Sequence, residues 1–98
     1  MKENYVYPIR VEKEKGKYKG TFLDFPDMCL IESESKEELI RSAQECLALE
    51  ILDYESRKQE LPTPSMEVSD VIFIHIWMPY FRNVSKEIYV KKNVTIPQ

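Results

Sequence analysis

A chain of 98 residues supports one domain with a modest core. The formal charge of −3 and sequence pI near 5.2 argue against gripping a phosphate backbone, and suit a basic partner instead. Two distant cysteines, Cys29 and Cys46, lack C-x-x-C spacing, so neither a zinc site nor a disulfide framework is implied; they read as reduced, small apolar residues.

Met1-Lys2-Glu3-Asn4 carries no apolar stretch of a secretory signal. From Tyr5 to Lys13 residues alternate, with Tyr5, Tyr7, Ile9 and Val11 on one face, which predicts a strand. Pro8 predicts an incomplete ladder there, because proline has no N–H to donate. Glu14-Lys15-Gly16 reads as a hairpin turn and Lys17–Asp24 as the second strand, broken by Phe25-Pro26-Asp27. A third strand is expected over Met28–Glu32.

Ser35-Lys36-Glu37-Glu38 has the form of a capping box and opens a helix expected to reach about Lys58. Leu39, Ile40, Ala43, Cys46, Leu47, Ile51 and Tyr54 form its apolar stripe, with Glu50 inside it and Leu49 and Leu52 outside. Leu61-Pro62-Thr63-Pro64-Ser65 is a stiff return segment. Val71–Met78, interrupted by His75, is apolar on both faces, which predicts a central strand covered on both sides; it is too short to span a bilayer. Pro79 ends it, Phe81–Ser85 forms a turn or short helix, and a last strand runs over Ile88–Ile96.

The order β-β-β-α-β gives an α+β fold with spatial order 3-2-1-4 and one helix on one face of the sheet. The strand–helix–strand crossover is expected to be right-handed and to bring the fourth strand back parallel to a neighbour. One helix covers only one face, so apolar area is left for a partner. A soluble, cytoplasmic protein follows by default.

The stretch Phe22-Leu23-Asp24-Phe25-Pro26-Asp27-Met28-Cys29, followed by Ser33-Glu34-Ser35-Lys36-Glu37-Glu38-Leu39, resembles the HicB antitoxin family, whose pattern is an aromatic strand, Asp-Leu-Pro-Gly-Cys, a Thr/Ser cap and a Glu-Glu-Ala helix opening. Asp27-Met28 stands where the family has Gly, and the Gly-Asp-Thr before the helix is absent. Leu61–Ser65, Ile74–Arg82 and Val90–Pro97 resemble later pieces in the same order. The resemblance implies a partial ribonuclease-H-like fold over residues 1–79 that binds a small, basic HicA-like mRNA endonuclease. It implies that residues 80–98 are a connector and the extension strand leading to a DNA-binding domain missing from this chain, through which the full-length protein would repress its own operon. A homodimer or higher oligomer is expected, with no catalysis, no cofactor and no membrane association. The alternative is a stand-alone module of the same fold that binds another protein or a small ligand.

The candidate toxin-binding residues are Asp24, Phe25, Asp27, Met28, Glu32 and Glu34, part of an acidic run that continues through Glu37 and Glu38 with Lys36 the one base. An acidic patch would speed capture of a basic toxin and block its RNA path; a solvated surface with dipole-favoured carboxylates is the plainer account. Lys91, Lys92, Asn93 and Thr95 are the DNA-proximal candidates. Metal-dependent nuclease chemistry needs converging carboxylates, for which Asp24 and Asp70 are the sole strand-end acids. His75 has no metal-ligating or catalytic partner near it in sequence and reads as a core or interface residue, while Trp77, Tyr80 and Phe81 read as either interface anchors or core, with core the preferred reading for Trp77.

Overall fold

In the computed structural model, residues 3–28 and 30–82 are described. Alternation places Tyr5, Tyr7 and Ile9 on the inner face of β1 (Asn4–Glu14), and all three are buried. Lys15 and Gly16, with φ of 54° and 79°, turn the chain directly into β2 (Lys17–Phe22). Positive φ at both central residues matches the turn that follows the natural strand twist.

The β1–β2 ladder runs from Glu14↔Lys17 to Ile9↔Phe22. One step further, the Leu23 N–H donates to the Pro8 carbonyl at 3.4 Å, but Pro8 has no N–H to return. That missing bond ends β2 at Phe22, two residues before the sequence predicts. Phe25–Met28 then closes a turn through a 3.0 Å bond from the Met28 N–H to the Phe25 carbonyl. The expected third strand therefore starts late, as β3 (Ile31–Ser33), paired antiparallel with β2.

Ser35 caps α1 (Lys36–Ser56), its hydroxyl accepting from the Glu38 N–H at 3.1 Å. The Glu38 carboxylate meets that hydroxyl at 3.4 Å. The helix ends when Lys58 turns left-handed (φ 56°). Bonds from the Lys58 N–H to the Glu55 carbonyl and from Gln59 to Tyr54 satisfy its last carbonyls. Leu39, Ala43, Leu47, Ala48 and Ile51 are buried against the sheet. Gly20 permits this closeness, since a Cβ there would lie 3.3 Å from Ile9 Cδ1 and 3.4 Å from Leu39 Cδ1.

β4 (Val71–Trp77) lies beside β1, giving a four-stranded sheet in order β3-β2-β1-β4 with one helix packed on it. Two expectations are corrected here. β4 runs antiparallel to β1, with register Tyr7↔Ile74, not parallel to a neighbour. Leu39, near the start of α1, lies by Ile9 and Gly20, whereas Tyr54 and Glu55 near its end meet Phe25 and Arg82. The helix therefore runs opposite to β1. Segment 57–70 then travels back, meeting Tyr7 through Pro62 and Asp24 through Ser65. Extended chain rises ~3.3 Å per residue against ~1.5 Å in a helix, so this strap recovers the full length of α1. The crossover thus contains two passes, and β4 enters from the top. β4 is also an edge strand among the described residues, not a central one.

Ile72, Ile74 and Ile76 pair with Ile9, Tyr7 and Tyr5 in register and share the helix side of the sheet. Val71, Phe73, His75 and Trp77 take the opposite side with Val6 and Pro8. Pro8 is fully buried there, but His75 is exposed and Trp77 is 54% exposed. Trp77 is therefore not a core residue, because it alternates outward at the end of an edge strand. Residues 78–82 are helical. Met78 is buried and donates its N–H to the Glu3 carbonyl at 2.8 Å. Arg82 makes a forked bridge to Glu55, at 2.9 and 3.2 Å. The expected strand over 88–96 and nearly all of segment 80–98 lie outside the described residues. No described helix is long and apolar enough to cross a membrane.

Candidate functional site

The short strand β3 and the flank of α1 beside it bring acidic side chains together. Glu32 and Glu34 are exposed. With Glu38, Arg41, Ser42 and Glu45 they line a shallow groove of about 420 Å³. Residues 38, 42 and 45 recur at helical spacing, so they stack along one flank. That flank continues toward the helix end through Asp53, with Glu50 and Asp27 beside it. Burial pushes the Glu50 carboxyl above its ordinary value, helped by the charges of Asp53 and Asp27, while Arg57 opposes the shift. Arg57 is bound to Asp53 at 2.7 Å and lies 5.0 Å from the Tyr54 ring centroid. From Glu38 to Asp53 the rim extends ~22 Å at the helical rise. Field lines from such a strip favour a cationic partner.

The six sequence candidates divide. Asp27, Glu32 and Glu34 lie at the surface. Asp24 instead accepts from Ser65 twice, from the N–H at 3.0 Å and the hydroxyl at 2.7 Å. Its carboxylate clips the return strap to the end of β2. Phe25 is interior, at 1% exposure, and Met28 is partly buried against the same core. Glu45, Glu50 and Asp53 are not among the candidates; the helical spacing of Glu45 and Asp53 off the apolar stripe is the available signal, whereas Glu50 falls inside the stripe and carries none. Lys91, Lys92, Asn93 and Thr95 lie outside the described residues, as does Cys29.

Among the described residues, no three His, Cys, Asp or Glu side chains are placed to hold a metal ion. Asp70 is exposed in a left-handed conformation (φ 60°) at the entry to β4.

The clip yields a direct prediction. Ser65→Ala removes one charge-assisted bond and should lower stability by about 1–2 kcal/mol, read as a lower urea midpoint at unchanged slope. Asp24→Ala should cost more, because it strands the Ser65 amide as well.

Residues 4–80 match the family described as HicB_like antitoxin of bacterial toxin-antitoxin system. That match covers most of the chain. No curated protein matches it.

Proposed function

The chain belongs to the HicB-like antitoxin family of bacterial toxin–antitoxin systems, and from that premise we propose that it neutralises a HicA-like ribonuclease toxin by seating the toxin's basic RNA-binding face on the acidic rim. The observation that carries this reading is the groove between β3 and α1, where Glu32, Glu34, Glu38 and Glu45 converge with Arg41 as the one base. A ribonuclease of this kind must present cations to phosphates. An antitoxin that offers carboxylates to the same cations competes with RNA directly and needs no chemistry of its own. Neutralisation is then occlusion, not catalysis.

The rim also suits rapid capture. Rim charges act mainly on association rate, and salt screens them. Phe25 contributes from below by holding the turn that presents Asp27. The full-length protein is proposed to act in the cytoplasm as a homodimer or larger assembly. It would repress its operon through a further DNA-binding domain, with Lys91, Lys92, Asn93 and Thr95 nearest that domain.

The test is charge reversal where carboxylates are exposed. Glu32→Lys, Glu34→Lys and Glu38→Lys together should weaken toxin binding by about tenfold to a hundredfold, mostly in association rate, and flatten its dependence on salt. Calorimetry and stopped-flow binding with the purified toxin would measure both. Unchanged affinity and salt dependence in a folded triple variant would remove the rim from the mechanism.

A further inference from the structure

We propose that the outer edge of β4 pairs with the same edge of a second copy of this chain, joining two four-stranded sheets across a two-fold axis at Ile74. Backbone direction alternates along a strand, and two bonds fix its phase here. The Met78 N–H reaches the Glu3 carbonyl at 2.8 Å, so even-numbered residues face β1. The Gln44 side-chain amide reaches the His75 carbonyl from outside at 3.0 Å, so odd-numbered residues face away. Val71, Phe73, His75 and Trp77 therefore present their N–H and C=O groups outward. The Gln44 side chain takes one of these groups, the His75 carbonyl.

Edge strands in soluble proteins are normally short, charged or interrupted by proline. The opposite edge obeys this rule: β3 has three residues and carries Glu32. β4 does not. Its seven residues, Val-Ile-Phe-Ile-His-Ile-Trp, contain no Asp, Glu, Lys, Arg, Pro or Gly. The two edges therefore suit different occupants. A β3 edge paired with itself would bring carboxylates together, whereas the acidic rim attracts a basic protein. β4 has no formal charge to attract such a partner, and a copy of itself meets no like charge across the seam.

Register follows from the phase. Outward residues must face outward residues, and the arrangement that uses the whole strand sets Val71 against Trp77 of the copy, and Phe73 against its His75. Trp77, 54% exposed, then packs against an aliphatic neighbour. The groove of about 650 Å³ lined by Asn4, Val6, Gln44, His75, Trp77 and Tyr80 closes at each end of the seam. Gln44 must release the His75 carbonyl for the ladder to form, so it acts as a plug on the edge of the single chain.

Sedimentation of the 98-residue chain over a concentration series tests the proposal, together with amide hydrogen exchange along β4. The expected result is a shift from the 11.7 kDa mass to twice that mass, with new protection at the Val71, Phe73, His75 and Trp77 amides. Ile72, Ile74 and Ile76 should be protected at every concentration. His75→Pro removes only an outward N–H, and by symmetry two bonds of the seam, so dimerisation should weaken on the order of tenfold or more. Gln44→Ala, which leaves the strand intact, should strengthen dimerisation a few-fold. The rim variants Glu32→Lys and Glu34→Lys should leave it unchanged, whatever they do to toxin binding. A chain that stays at the single mass throughout overturns the proposal. So does a dimer indifferent to both His75→Pro and Gln44→Ala, or edge protection that appears only when toxin is added.

Discussion

Phe25→Ala is expected to destabilise the chain by about 3–5 kcal/mol, a large share of the ~5–15 kcal/mol available to a domain of this kind. Among the described residues of the β2–β3 turn, Phe25 is the one that is fully buried. Its ring stands edge-on to Tyr7 at 4.7 Å, to Phe22 at 6.1 Å and to Tyr54 at 5.8 Å, tying β1, β2 and α1 together. Alanine would remove the ring from all three and leave a cavity that rigid strands cannot close. Phe25→Leu keeps most of the apolar volume and should lose only about 1–2 kcal/mol, part of it the aromatic geometry. Urea unfolding of both variants gives the comparison. A loss below about 1 kcal/mol would show that the turn is held by other means.

Much of this fold was legible because periodicity reports burial. The alternation of Tyr5, Tyr7 and Ile9, and the stripe from Leu39 to Ile51, are consequences of which face meets the core, and so they predict element type and the order 3-2-1-4. Pro8 announced a broken ladder, and its cause is visible in the unreturned bond to Leu23. Direction was harder. Whether β4 runs parallel or antiparallel depends on how far segment 57–70 travels, and that path is set by Ser65 meeting Asp24 and Pro62 meeting Tyr7. Such bonds link residues tens of positions apart and leave no local pattern. The same holds for the candidate site. Asp24 to Glu38 looks like one acidic run, yet the fold spends Asp24 on the strap and Phe25 on the core. It adds Glu45 and Asp53, which the helix brings alongside from later in the chain. The exposure of Trp77 is hidden from the sequence for a related reason: an apolar strand looks alike whether both faces are covered or one edge is open.

Alkaline pH should destabilise the chain through Tyr7, and Tyr7→Phe should remove most of that sensitivity. The Tyr7 side chain is buried, and its hydroxyl donates to the Pro62 carbonyl at 2.7 Å. Burial, with the charge of Asp24 and the nearby Tyr5 and Tyr54 hydroxyls, pushes its pKa up to about 12 from an ordinary 10.0. The raised value means that the folded chain holds the proton more tightly than the unfolded chain does. This stabilisation is fully present below pH ~10 and is lost as pH rises toward about 12, a total on the order of 2–3 kcal/mol for two pH units. Tyr5, raised chiefly by burial, contributes with the same sign. At neutral pH Tyr7→Phe should cost about 1 kcal/mol for the lost bond to the strap. Its stability should then fall less steeply than that of the parent above pH ~10. Lysine deprotonation affects both proteins alike, so the difference between their urea midpoints across the alkaline range isolates the one phenol. Parallel curves would mean that Tyr7 ionises as freely in the fold as outside it, and that the strap is not closed over it.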